Sequence, residues 1–328
     1  MTKGARRITL IVVAAALLLG GTIFHAATTW YGLVPGQSDR PVTVQIPAGS
    51  SLAAAAERLE KAGLVSSARD FRILARLFGS SEPIKAGEYR FYIGQSWSRI
   101  LEQLQRGGVL QYRITIPEGM PSILVHERLM AKEELTGTAA VPPEGSILPD
   151  TYSFERGESR QAVLKRMQAA MKKTLAELWA ARKPTTVVKT PEEAIILAAI
   201  VEKETGVAAE RRTVAGVYSN RLRIGMKLDA DPTVIYPITK GKPLGRRIRL
   251  SELRADNGYN TYVRPGLPQG PIANPGRESI AAVLDPAPTK ALYFVADGKG
   301  GHVFAPTLAE HNANVTKWRA IRRARGEM

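Results

Sequence analysis

The chain has 328 residues, 44% hydrophobic and 23% charged, with a net charge of +16. That balance describes a globular protein, not a disordered one, and the length calls for two or three folded units. There is no cysteine, which excludes disulfides, zinc–thiolate sites and a cysteine nucleophile. The cationic excess suits a polyanionic neighbour such as nucleic acid, anionic lipid or acidic cell wall. No zinc-finger spacing or RNP-type aromatic motif is found, so nucleic acid is not the expected partner.

Residues 1–7 are basic, and 8–29, "ITLIVVAAALLLGGTIFHAATT", carry no Asp, Glu, Lys or Arg. At about 1.5 Å per residue this stretch is long enough to cross a bilayer core. Lys3, Arg6 and Arg7 place the N-terminus in the cytoplasm by the positive-inside rule, with Trp30 and Tyr31 in an interfacial aromatic belt. A cleaved signal peptide is the competing reading, but its small-x-small cleavage site is poor. Either way the bulk of the chain is expected outside the cytoplasm, in the periplasm if the anchor sits in an inner membrane. A linker is placed at 30–40.

From residue 41 the pattern is strand, helix, helix, strand. "VTVQI" alternates Val42, Val44 and Ile46 on one face. "SSLAAAAERLEKAG" puts Leu52, Ala55, Ala56 and Leu59 together. A helix over about 69–78 carries Phe71, Leu74 and Leu77, and "AGEYRFYIG" is a second strand before the helix "SWSRILEQLQRGG". "QYRITIPEGMPSILVHERL" then echoes "VTVQIPAGSSLAAAAERL". The expected organisation is a small module at 41–110, a connecting strand–helix at 111–140, and a larger mixed domain at 141–328. The fold class is α+β.

The larger domain begins with a long helix, about 160–182. "AIILAAIVEKETG" follows, an apolar helix ending in two acids, Glu202 and Glu204. Thr190 is a good N-cap, Pro191 suits the first helical position, Glu193 completes a capping box, and Gly206 is a natural stop. Glu204 continues the stripe of Leu197, Ile200 and Val201, whereas Glu202 continues the smaller face of Ile195, Ala198 and Ala199. A carboxyl on an apolar stripe, at the negative end of the helix dipole, is held protonated, as a general acid requires. The alternative is that one Glu is exposed and the other pairs with Arg211 or Arg212. Downstream, Asn220 and Arg221 flank an apolar helix face, and Asp229 and Asp231 follow. Asp231 before Pro232 also reads as a plain helix cap. His25, His126, His302 and His311 lack zinc spacing, no calcium-loop or G-x-S-x-G pattern is present, and no metal or cofactor is expected.

Four stretches, "AAIVEKETGVAAERRTVAGVYSNRLRIGMKLDADPTVIY", "ILPDTYSF", "YNTYVRPGLPQGPIANPG" and "LYFVADGKGGHVFAPTLAEHN", resemble, in order, the endolytic murein transglycosylases (the MltG or YceG-like family). The resemblance implies a membrane-anchored enzyme that cleaves nascent peptidoglycan glycan strands between N-acetylmuramic acid and N-acetylglucosamine, leaving 1,6-anhydromuramyl ends. It implies that Glu204 is the essential acid and that 41–110 is LysM-like and binds glycan. Asn220, Asp231, Tyr259, Asn260 and Thr261 become candidates to hold the sugars. Partners implied are glycan strands, penicillin-binding proteins and other wall-synthesis proteins. Asp229 and Ala230 stand where the family commonly has Gln-Ser or Gln-Thr, Pro237 replaces a usual glycine, and Gln269 a usual proline. A non-catalytic peptidoglycan-binding scaffold and a metal-dependent envelope hydrolase are the alternatives.

Overall fold

The structure is a computed structural model and describes residues 3–32 and 40–327. Most of the expected linker and the first two residues lie outside the described residues. The chain divides into two compact units, Met1–Tyr112 and Arg113–Met328. The fold is α+β, with one N-terminal apolar helix and two-stranded sheets.

In the first unit, helix α1 spans Lys3–Tyr31, and its segment Leu10–Tyr31 is long and apolar enough to cross a membrane. Strand β1 (Pro41–Ile46) pairs antiparallel with β2 (Gly87–Tyr92), with Val44 opposite Tyr89 and Val42 opposite Phe91. Helices α2 (Leu52–Lys61), α3 (Ala68–Phe78) and α4 (Trp97–Arg106) complete the unit. Ser51 and Ser67 accept the N–H of Ala54 and Asp70, so α2 and α3 begin where their hydroxyls satisfy orphan donors. Gly107 ends α4 in the left-handed region at φ 82°, where a side chain would be strained. Trp30 differs from expectation. Its indole is not in an aromatic belt but buried at 2% exposure, 6.4 Å from the ring of Phe71 and 6.3 Å from that of Phe78. Its large apolar area finds a packed site in the unit's core, while Tyr31 stays exposed.

The second unit contains most of β3 (Gln111–Thr115), which pairs with β4 (Thr151–Glu155), and α5 (Ser122–Met130). The strand and helix expected as a connector therefore group with the larger unit. The reason is long-range: Asn274, wholly buried, donates to the Met120 carbonyl and the Ser122 hydroxyl and accepts from the Ile147 N–H. Then come α6 (Arg160–Ala180), α7 (Pro191–Glu204), α8 (Arg211–Arg223), α9 (Asp231–Thr239), the short α10 (Leu250–Leu253) and α11 (Arg277–Leu284). A hairpin of β5 (Tyr293–Ala296) and β6 (His302–Ala305) and the C-terminal α12 (Leu308–Ala324) close the chain.

Helix α7 is the axis of this unit. Ala194, Leu197, Ala198, Ala199, Ile200 and Val201 are all at 0% exposure, packed by α6, α8, α9 and α11. A helix apolar on every face must be surrounded. The two-stripe distinction drawn from spacing is thus weaker than expected, because both stripes are buried. At the N-terminus Thr190 caps Glu193 as expected, but the Glu193 carboxylate returns to the N–H of Lys189 instead of closing the capping box on Thr190. At the other end Gly206 is not a left-handed stop. The helix ends at Glu204 because Thr205 turns extended and its hydroxyl bonds back to the Val201 carbonyl at 2.7 Å.

Candidate active site

The two acids at the end of α7 have different fates. Glu202 accepts the N–H of Gly276 at 2.9 Å, at the N-cap of α11. A carboxylate there satisfies an orphan donor and meets the positive end of a helix dipole, so Glu202 braces α7 against α11. Glu204 has no hydrogen bond or ion pair among the described residues. Its carboxyl is raised from an ordinary value of 4.5 to about 7. Burial is the larger cause, the Asp231 carboxylate adds to it, and the Arg221 guanidinium opposes it.

Arg221 is itself buried at 8% exposure, held by the Leu292 and Leu228 carbonyls at 2.6 Å each. Its guanidinium lies 3.9 Å from Asp229 and over the ring of Tyr293. A fixed cation is therefore built into the site beside a fixed anion. Asp231 is not a helix cap. Ala230 holds the N-cap position, and the Asp231 carboxylate accepts the Tyr262 hydroxyl at 2.7 Å. Burial and this bond push the Tyr262 phenol well up, so it stays a neutral donor.

Thr261 fixes the start of α9. At 2% exposure, its hydroxyl accepts the Ala230 N–H at 3.0 Å and bonds the Thr233 hydroxyl at 2.9 Å. Asn260, also buried, donates to the carbonyls of Glu252, Leu253 and Ala255, and its Oδ1 accepts the Tyr262 N–H. Asn220 donates to the Thr289 and Ala291 carbonyls and accepts from Arg223. The side chains of these three residues are spent inside the protein: they hold Asp231, Tyr262 and the loop before β5. Tyr259 belongs to a second polar group. Its ring lies 5.0 Å from Tyr236, whose hydroxyl bonds the half-buried Glu144. Of the residues expected from sequence, Glu204 and Asp231 are thus brought together, with Thr261 and Asn260 behind them.

Two of the departures are accommodated locally. Asp229 adopts φ 48°, a left-handed conformation that aspartate tolerates better than most residues, and its carboxylate faces Arg221. Gln269 packs against Gly258, whose φ of 79° favours glycine there. Pro237 sits inside α9, and Lys240 ends that helix three residues later in the left-handed region.

Glu204 opens on a groove of ≈ 370 Å³ shared with His302, Trp318 and the glycine-rich loop between β5 and β6. Asp297 shapes that loop by accepting the N–H groups of Lys299 and Gly301. These bonds hold its carboxyl below the usual range. Glu210 anchors the far side, accepting the His302 N–H at 2.9 Å and bonding its Nδ1 at 2.7 Å. Among the described residues, no group of three or more His, Asp or Glu converges as a metal cage. Sequence reasoning missed Tyr262, Trp318 and the Glu210–His302 pair. Tyr262 stands one residue after Thr261, in a stretch already singled out; the pair, 92 residues apart, leaves no local signal.

An α+β protein with one N-terminal apolar helix and an unpaired, proton-holding glutamate on a groove is the class that this fold and site define. The YceG-like family profile matches residues 44–317, and the chain belongs to that family. It is 29% identical over 336 residues to an endolytic murein transglycosylase of Bacillus subtilis, covering 92% of this chain and 91% of that one. It is also 29% identical over 357 residues to one of Streptococcus pneumoniae, covering 93% of this chain and 64% of that longer protein. A crystal structure of a yceG-like protein from Listeria monocytogenes matches with a TM-score of 0.51 at 28% identity, covering 84% of this chain and 99% of that one.

Proposed function

We propose that the protein is an endolytic peptidoglycan lytic transglycosylase and that Glu204 is its acid and base. The carrying observation is the Glu204 carboxyl, lifted to about 7 and without a partner, at the edge of a groove. Protonated, it donates to the glycosidic oxygen that links C1 of N-acetylmuramic acid to N-acetylglucosamine. The C1–O bond breaks and the leaving sugar keeps that proton. The resulting carboxylate then takes the proton of the muramic C6 hydroxyl as that oxygen bonds C1. Glu204 is restored and a 1,6-anhydro end is formed. Attack within one sugar gains from high effective molarity, so a second carboxylate acting on water is unnecessary. Asp231, Tyr262 and Arg221 set the proton affinity of Glu204 instead of reacting themselves.

The same reading takes α1 as an uncleaved anchor with its N-terminus in the cytoplasm and the two units outside. Residues 41–110 serve as a LysM-like glycan-binding module, and penicillin-binding and other wall-synthesis proteins are the partners. Its support is the family membership together with the uncharged span behind Lys3, Arg6 and Arg7. Mass spectrometry of digested glycan strands is the test. The parent protein gives products one water lighter than hydrolysis products, and Glu204→Gln lowers the rate by about 10²- to 10⁴-fold with the fold intact. Ordinary reducing muramic ends, or full activity in Glu204→Gln, defeats the proposal.

A further inference from the structure

Helix α3 has a face that the first unit leaves uncovered. Ile73, Leu77 and Phe78 are 44%, 68% and 54% exposed. Three large apolar side chains on one short helix are more than scattered surface exposure, and such patches mark a surface that something covers. Arginines are interleaved with them: Arg69 and Arg76 are exposed and Arg72 is half-buried. Against these three cations the helix carries one acid, Asp70. Apolar residues alternating with arginine on a surface helix describe an element that lies in a membrane interface.

The position of α3 beside α1 indicates what covers it. Trp30, on the last turn of α1, is buried against Phe71 and Phe78, which belong to α3. The membrane-length helix therefore runs into the core of the unit without a free joint. Between the two helices lies a groove of ≈ 620 Å³. One wall is Leu17, Leu18 and Gly21 of α1, and the other is Asp70 and Ile73 of α3. Leu17 precedes Trp30 by thirteen residues, about 20 Å along a helix axis. The groove thus runs along part of the apolar span itself, with Thr22, His25 and Thr29 of α1 on its polar side.

We propose that this groove and the exposed face of α3 form a phospholipid site. It rests on the reading of α1 as a membrane anchor. An acyl chain lies between α1 and α3, Ile73, Leu77 and Phe78 sit at the acyl–headgroup boundary, and Arg69, Arg72 and Arg76 face the phosphates. Continuity with the α1 span favours lipid, and the charge of the helix favours an anionic headgroup. The consequence is that the first unit is held against the bilayer surface rather than swinging on a tether.

The absence of cysteine makes the test clean, since a single introduced cysteine can be labelled in the full-length chain. Leu77→Cys, Leu18→Cys on α1 and Glu57→Cys on the exposed side of α2 would each carry an environment-sensitive fluorophore. Each labelled protein would be placed in nanodiscs of anionic phospholipid with brominated acyl chains. The expected result is quenching at Leu77 at least threefold above Glu57 and approaching that at Leu18. Replacing Arg69, Arg72 and Arg76 together by Gln should lower the Leu77 quenching at least twofold, and no change there overturns the headgroup contact. Quenching at Leu18 but not at Leu77 overturns the lipid site while leaving the anchor intact. This is also the outcome expected if a second copy or another protein's helix covers the face. An unquenched Leu18 overturns the anchor on which the inference rests.

Discussion

Replacing Glu204 by Gln should make the protein less active and, at alkaline pH, more stable. The native carboxyl is raised to about 7 from an ordinary value of 4.5. A folded-state value above the unfolded one means that the native state holds the proton more tightly. The stability this provides is fully present below pH 4.5 and is lost as pH rises through 7, where a desolvated charge must form. One pH unit of difference is worth about 1.4 kcal/mol, so the total loss between those limits is about 3 kcal/mol. Gln has nearly the same size and no charge to bury. Its gain should therefore be near zero at pH 4.5 and about 3 kcal/mol at pH 8.5. For a unit of this size that is a rise of roughly 6–12 °C in melting temperature. Thermal unfolding of the full chain and of Glu204→Gln, measured in parallel at the two pH values, reads this directly. An equal gain at both, or none at pH 8.5, would refute the desolvated, unpaired carboxyl.

Asp231→Asn keeps an acceptor for the Tyr262 hydroxyl but removes the charge that helps raise Glu204. The alkaline limb of the kcat/KM profile should move to lower pH, and an unmoved limb would sever the link between the two acids. Glu202→Gln weakens the bond to the Gly276 N–H. It should cost about 1 kcal/mol of stability in a denaturant titration and much less activity than Glu204→Gln. Thr261→Val leaves the Ala230 N–H without its acceptor inside the protein. A loss of about 1–3 kcal/mol is expected, with a fall in kcat larger than any change in KM, since the Thr261 hydroxyl positions the start of α9.

The parts of this structure legible in the sequence are those set by neighbours in the chain. Ser51, Ser67, Ser159 and Thr190 all cap the helices that follow them through a side-chain bond. The alternation of Val42, Val44 and Ile46 gave a strand whose register places Val44 opposite Tyr89. Less legible was anything that depends on what a face meets. Periodicity put Glu202 and Glu204 on different stripes but could not show that both stripes are buried. Asn220, Asn260 and Thr261 were singled out as polar residues near a motif, the property shared by sugar ligands and structural struts. Their bonds to carbonyls and hydroxyls, which periodicity does not reveal, give all three a bracing role inside the protein. Trp30 shows the same limit, because an aromatic residue at the end of an apolar span suits a lipid interface and a protein core equally well.

The end of α7 shows why an apolar helix terminates in two carboxylates two residues apart. A helix buried on every face must leave the core somewhere, and its last carbonyls and side chains meet whatever lies there. At Glu202 the helix meets the N-terminus of α11, whose free N–H and dipole take up a carboxylate. The bond to the Gly276 N–H gives Glu202 a fixed partner at 2.9 Å. Two residues on, Thr205 breaks the helix by extending and returning its hydroxyl to Val201, and among the described residues no donor bonds Glu204. With Asp231 held nearby by Tyr262, the charged form of Glu204 is further disfavoured, and Arg221 keeps the opposition from becoming so large that the proton could never leave. A proton affinity near 7 thus follows from one acid being satisfied and its neighbour left without a partner. The residue that the helix terminus fails to stabilise is the one able to transfer a proton at neutral pH.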